Sequence, residues 1–192
     1  TVDYDNDDVH GRYEAGHTGW ITVTESNPSS VKDTVETTTG PIENWDDPGF
    51  EVNFQDVGIE PDDWVFGLLN SAVQTTSVKV GTIDAQVDVD QDTVSGTIHA
   101  DWLLPDLVTV QCEIHEDNSP DRIQFVNISP DGGRFECDYD GIWDIEPGHN
   151  VVVQYVEPDG DRVRARPANP TPRVRIEKWA DGTPGEGSNM SF

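Results

Sequence analysis

The 192 residues carry 38 acidic side chains against 11 basic ones, a formal net charge of -27 that repels nucleic acid and anionic lipid and excludes both as partners. No apolar run approaches the roughly 18 residues of a membrane-spanning helix, and six Trp, four Tyr and six Phe set in alternating runs exclude an unstructured acidic tail. The same acidity fits a surface bathed in divalent cations or a protein adapted to high salt, with lysine reduced to Lys32, Lys79 and Lys178.

The first segment, Val2-Asp3-Tyr4-Asp5, reads as extended, with Val2 and Tyr4 on one face and Asp3 and Asp5 on the other. Trp20 to Thr24 reads as a strand. Thr24 to Trp45 is rich in Ser, Thr and Glu and reads as a polar loop in which Val35 and its threonine neighbours still allow a strand. Phe50 to Phe54 is the next strand, and Asp62 to Leu69 reads as a short helical turn. In Leu107 to Ile114 the residues Val108, Val110, Cys112 and Ile114 share one face, and Gln111 and Glu113 the other. Ile123 to Ile128, Phe135 to Tyr139, Val151 to Val156 and Val174 to Ile176 alternate in the same way. Turn signals such as Asp47-Pro48-Gly49, Pro130-Asp131-Gly132 and Pro158-Asp159-Gly160 separate them. This pattern predicts an all-β chain of two packed sheets per unit.

The unit repeats. Val2, Asp3, Asp5, Asp7, Val9 and Gly11 match Val87, Asp88, Asp90, Asp92, Val94 and Gly96 at a spacing of 85. Phe50 and Phe54 match Phe135 and Tyr139, and Ile59-Glu60-Pro61 matches Ile145-Glu146-Pro147 one residue later. The expected organisation is a β-sandwich module over 1–90, a second over 91–180 and a tail or assembly strand over 181–192. Two units leave one strand over, which caps its own domain, continues into a truncated neighbour or completes the sheet of another copy. Edge-strand pairing of that kind predicts a homo-oligomer or filament.

Cys112 shares its face with Val110 and Ile114, and Cys137 with Phe135 and Tyr139, so both point inward. They either close a Cys112–Cys137 disulfide, the favoured reading, or serve as two small buried hydrophobes.

Asp131-Gly132-Gly133-Arg134-Phe135 and Glu146-Pro147-Gly148-His149-Asn150-Val151, with the Val-x-Gly openings, resemble the immunoglobulin-like modules found in tandem on bacterial and archaeal exported proteins. The resemblance spans most of the second unit and half of the first. It implies two tandem immunoglobulin-like β-sandwiches, an extracellular or cell-surface location, and a structural, adhesive or spacer role.

Three ligand classes follow from particular residues. Asp3, Asp5 and Asp7, with Asp88, Asp90 and Asp92, place carboxylates two residues apart, a repulsion that Ca2+ at the module junction would relieve. Trp45 beside Asp46 and Asp47 is the candidate carbohydrate platform, while Trp20 and Trp143 are expected to fill cores. Asn127 and Asn189 each satisfy the N-glycan acceptor pattern. Catalysis has no comparable support: there is no Gly-x-Ser-x-Gly, and the five histidines are scattered without metal-ligand spacing.

Overall fold

The computed structural model describes residues 1–42, 45–70, 74–115, 122–169, 179–180 and 183–184. Apart from a 3-10 turn at Asp101–Leu103, the regular structure of these residues is strand. The first seven strands are Val2–Asp3 (β1), Asp8–Arg12 (β2), Thr18–Thr24 (β3), Val31–Thr38 (β4), Gly49–Asn53 (β5), Trp64–Leu69 (β6) and Gln74–Lys79 (β7). The next seven are Thr82–Asp88 (β8), Thr93–His99 (β9), Val108–His115 (β10), Arg122–Ile128 (β11), Asp131–Asp138 (β12), Asn150–Val156 (β13) and Arg162–Ala165 (β14). A two-residue pair, Trp179–Ala180 (β15) with Thr183–Pro184 (β16), completes the described elements.

Each set of seven divides in the same way. In the first, β4-β3-β6-β7 form one sheet and β1-β2-β5 run side by side in another; in the second, the matching groups are β11-β10-β13-β14 and β12-β9-β8. The two sets are not separate beads, because β1 pairs in parallel with β14 and joins β1-β2-β5 to β11-β10-β13-β14 as one seven-stranded sheet. A single row of cross-strand partners crosses all seven strands: Val126, Val110, Tyr155, Val163, Val2, Val9 and Val52. Since side chains alternate faces, this row puts the apolar sides of both halves on one face of the long sheet. The core there continues from Ile21 and Val23 through Val2 and Val163 to Cys112 and Phe135.

The repeat is structural as well as sequential. Asp7 and Asp92 both adopt positive φ, and their carboxylates accept the backbone N–H of Ile59 (2.7 Å) and Ile145 (2.8 Å). Their carbonyls accept the N–H groups of Phe54 and Tyr139 at 2.8 and 2.9 Å. Aspartate tolerates the left-handed region better than most residues, and its carboxylate here ties the turn to a backbone N–H 52 or 53 residues further along the chain, the same long-range bond in both units.

The Val-x-Gly opening also has a steric cause, though not the same one twice: a Cβ at Gly11 would meet the ring of the facing Phe50, and one at Gly96 would meet the β8 backbone at Asp84 and Ala85.

Several expectations change. Asp62 to Leu69 is no helical turn: Trp64–Leu69 lies between β3 and β7, and pairing on both sides fixes an extended backbone. The polar stretch after Thr24 supplies β4, held by β3 on one side. The boundary expected at residue 90 falls within the β8–β9 hairpin, so β8 pairs with the second set, and the strand sets change over at Val80-Gly81. Trp20 does not fill a core: it alternates with the buried Ile21 and donates from Nε1 to Glu36 at 3.2 Å on the outer face. Val174 to Ile176 and most of 181–192 lie outside the described residues. Cys112 and Cys137 form a disulfide that links β10 to β12 across the second sandwich.

Candidate functional site: the seam between the two sandwiches

Two short strands make the seam. Val2 lies opposite Val163 and Asp3 opposite Arg164, and the Tyr4 N–H donates to the Arg164 carbonyl at 3.3 Å. Only two residues of β1 are paired, so side chains must carry part of the attachment.

Arg166 supplies it. Its Nε and Nη2 donate to the same Asp3 oxygen at 3.2 and 3.0 Å, its Nη1 to Asn150 at 3.2 Å, and its backbone N–H to the Asp5 carboxylate. The Asp3 side chain is 2% exposed and that of Arg166 29%. A charge-assisted pair this sheltered is screened little by salt. Asp3 also accepts the Asn6 N–H at 3.3 Å.

The polar face of the long sheet continues from this point. Arg164 Nη2 donates to Gln154 at 3.3 Å, Gln154 Nε2 to Glu113 at 2.8 Å, and Gln111 Nε2 to the same Glu113 oxygen at 2.7 Å. Gln154 is fully buried, so its amide depends on these partners.

Two tyrosines fasten the other side. Tyr4 Oη donates to the Ile83 carbonyl and accepts the Ile83 N–H, both at 3.2 Å, and burial raises its pKa to about 12. Tyr155 Oη accepts the N–H of Gly81 at 2.9 Å, pinning the Val80-Gly81 link, and its pKa is likewise pushed up by burial. Thr76 donates to Asp161 at 2.9 Å, tying β7 to the β13–β14 turn.

A cavity of about 1280 Å³ adjoins the seam, with His10, Tyr13, Trp45 and Phe50 among its walls together with Arg162 and Arg164. Burial first, and then cationic neighbours including Arg164 and Arg162, lower the His10 pKa to about 3, so its imidazole is neutral near pH 7. Trp45 meets His10 edge-on at 5.5 Å, and the Arg12 guanidinium lies 5.7 Å from the indole centre while pairing with Asp47 at 3.0 Å. Trp45 is therefore half-buried between partners, with Asp46 and Asp47 exposed beside it.

The six aspartates expected to bind calcium do not line an extended strand, because residues 4–7 and 89–92 form turns. Asp3 is held by Arg166, Asp5 accepts the Arg166 N–H, and Asp7 and Asp92 take backbone donors. Asp88 accepts the N–H groups of Asp90 (3.0 Å) and Gln91 (3.1 Å), and Asp90 is exposed. Among the described residues no group of three or more His, Cys, Asp or Glu is placed to hold a metal ion. Asn127 is exposed on β11, where its side-chain oxygen accepts from Thr109 at 2.8 Å; Asn189 lies outside the described residues.

No family model and no curated protein sequence matches the chain. Among solved structures it is similar to a tetra-tandem repeat in the extending region of a large adhesion protein, at 14% identity over 85% of this chain with a TM-score of 0.31. A second is a structure concerned with host cell surface retention of a 1.5-MDa bacterial ice-binding adhesin, at 12% identity over 92% of this chain with a TM-score of 0.32. A third holds the FN1-FN3 domains of chicken CNTN1, at 8% identity over 85% of this chain with a TM-score of 0.29. The chain spans 45%, 62% and 60% of the lengths of those three chains.

Arg164, Arg166 and Tyr155 are not among the residues that the sequence singles out, and Tyr4 is marked there only as sharing a face with Val2. One signal for two of them was present. Arg162, Arg164 and Arg166 stand at alternate positions in and just after one strand in a chain with only 11 basic residues, which marks a face where negative charge must be met.

The same region holds a titrating group. Glu157, at the start of the β13–β14 turn, is buried, and one of its oxygens has no hydrogen-bond partner. Burial, with Asp159 and Asp161 nearby, raises its pKa to about 7. A carboxyl with a raised folded-state pKa binds more protons folded than unfolded, so its contribution is full below about pH 4.5 and is lost as pH rises through about 7. Glu157→Gln is expected to stabilise the protein at pH 8 by about 1–2 kcal/mol, the full linkage being reduced by solvent at the turn, and to leave it unchanged at pH 4.5. Denaturant melts of both proteins at the two pH values test this; an equal shift at both would reject it.

Proposed function

We propose that this chain is a non-enzymatic structural or adhesive element of the cell surface, in which two acidic β-sandwich modules act as one rigid body. The observation that carries this reading is the seven-stranded sheet shared by both halves, crossed by one apolar row from Val126 to Val52. A shared sheet and shared core prevent the hinge motion that is the default between domains joined by a linker alone.

Other features agree with it. The Cys112–Cys137 disulfide fits an oxidising, extracellular compartment. Among the described residues no helix is long and apolar enough to cross a membrane. Most of the polar groups described at the seam are spent on one another, the buried Arg164 Nε excepted, an arrangement suited to fastening rather than turnover. Assembly into a filament, as part of this reading, would use β11, which ends the long sheet and displays Ile123 and Phe125, 44% and 62% exposed. Calcium would act by screening exposed carboxylates such as Asp5 and Asp90.

The test is calorimetric. One body is expected to unfold in a single transition whose van't Hoff enthalpy equals the calorimetric enthalpy for the whole chain. Two resolved transitions would reject the rigid pair and leave a flexible spacer.

A further inference from the structure

We propose that the β1–β14 ladder is a tension clamp: it carries force between the two ends of the fold and keeps that force out of both sandwiches. The proposal rests on the rigid-body reading and adds a mechanical function to it.

The argument is geometric. β1 and β14 are parallel, with Val2 opposite Val163 and Asp3 opposite Arg164. Polypeptide preceding Val2 leaves β1 at its start, and polypeptide following Ala165 leaves β14 at its end. Tension between these two segments pulls the paired strands along their length in opposite directions. All attachments across the pair are then loaded together, whereas strands peeled from one end lose them one at a time.

The chain from Tyr4 to Asp161, holding nearly all of both sandwiches, is a closed loop between the two anchor strands. It feels no tension until the clamp opens.

The side chains are arranged for this load. The Arg166 guanidinium grips Asp3, the Arg166 N–H meets Asp5, and the Tyr4 N–H meets the Arg164 carbonyl. All three lie across the β1–β14 interface, while the other edge of β1 is held by β2. Because Asp3 is buried, its ion pair keeps its strength at ionic strengths that screen surface charge. Few cations are available in this chain, and Arg164 and Arg166 are both placed here.

Single-molecule pulling on the full chain tests the proposal, with two attachment geometries on the unaltered sequence. Handles at the two termini shear the ladder; a handle at the exposed Thr82 and one at the C-terminus load the second sandwich without passing through β1. The first event is expected at clearly higher force in the terminal geometry. It should release only a short length, before the sandwiches unfold at lower force. Arg166→Ala is expected to speed that first rupture on the order of tenfold or more at fixed force, the usual scale for a charge-assisted hydrogen bond. Arg166→Lys, which keeps the charge but not the fork, should fall between.

Equal rupture force in the two geometries, or sandwiches that unfold before any short first step, would overturn the clamp. The rigid-body reading is judged separately by the calorimetric transition, so a single transition with no high-force first event sinks the clamp alone. Two transitions with a high-force first event retain the clamp and sink the rigid pair.

Discussion

Replacing both cysteines, Cys112→Ala with Cys137→Ala, is expected to lower the melting temperature by about 10 °C while preserving a single transition. The bridge closes a separation of 25 residues. Chain entropy puts the loss of such a loop at about 3–4 kcal/mol. Spread over a cooperative unit of this size, each kcal/mol moves the midpoint by about 2–4 °C. Independent sandwiches would behave differently. The second would lose about 15–25 °C, since a smaller unit shifts by about 4–8 °C per kcal/mol, and the first would not move at all. Calorimetry of the double variant therefore reads both the strength of the bridge and the coupling across the β1–β14 seam. The first sandwich has Val52 in the position of Cys137, opposite Val9 as Cys137 lies opposite Val94, and must rely on packing and on that seam.

The second large effect is expected at Gly96. A Cβ there would lie 2.0 Å from the Asp84 carbonyl oxygen and 2.9 Å from the Ala85 Cα, both backbone atoms of the neighbouring strand β8. Relief requires β8 to separate from β9 in the middle of a three-stranded sheet, so Gly96→Ala is expected to cost about 3 kcal/mol or more. The matching glycine of the first repeat gives an internal comparison. A Cβ at Gly11 meets the Phe50 ring at 2.9 Å, and a side chain at the strand surface can turn aside. Gly11→Ala should therefore cost about half as much or less. At Gly40 no atom lies within 4 Å, so Gly40→Ala serves as a control with little change. Denaturant midpoints in the order Gly40→Ala, Gly11→Ala, Gly96→Ala, from mildest to most severe, are the expected result; equal costs at Gly11 and Gly96 would contradict the backbone-clash explanation.

The same repeated position thus has one sequence rule and two energetic consequences. Val-x-Gly is legible in the sequence because the glycine recurs at the same place in both units, opposite Phe50 and Phe135. Which atom a methyl group would strike depends on how closely β8 approaches β9, and no local pattern records that distance.

Much of the fold is written in such local terms. Alternation in Leu107 to Ile114 assigns Cys112 to the inward face, and the inward face of Phe135 to Tyr139 assigns Cys137; that the two are bonded to each other, rather than two buried thiols, is decided by how β10 and β12 face across the sandwich. The spacing of 85 is readable because the same residues recur in order, and Asp7 and Asp92 occupy the same left-handed turn position in each unit. Trp64 to Leu69 was misread for the opposite reason: its residues suit either backbone, and pairing with β3 and β7 selected the strand. The six aspartates are expected on extended strands, whereas residues 4–7 and 89–92 turn, so their carboxylates do not share one strand face.

The sequence by itself determined the strand faces, the turns and the inward-facing cysteines, since each depends on residues within about ten positions of one another, and the repeat, since that needs only a comparison of the two halves. Only the tertiary structure decided that β1 joins β14, at a separation of 161 residues between Asp5 and Arg166. Backbone hydrogen-bond groups on a sheet edge are the same for every sequence, so they cannot announce their partner. The choice is made by the row from Val126 to Val52 burying on one side, and by Arg166 meeting Asp3 on the other. It is a property of the assembled sheet, and it turns a repeat of two modules into one body with its two ends fastened together.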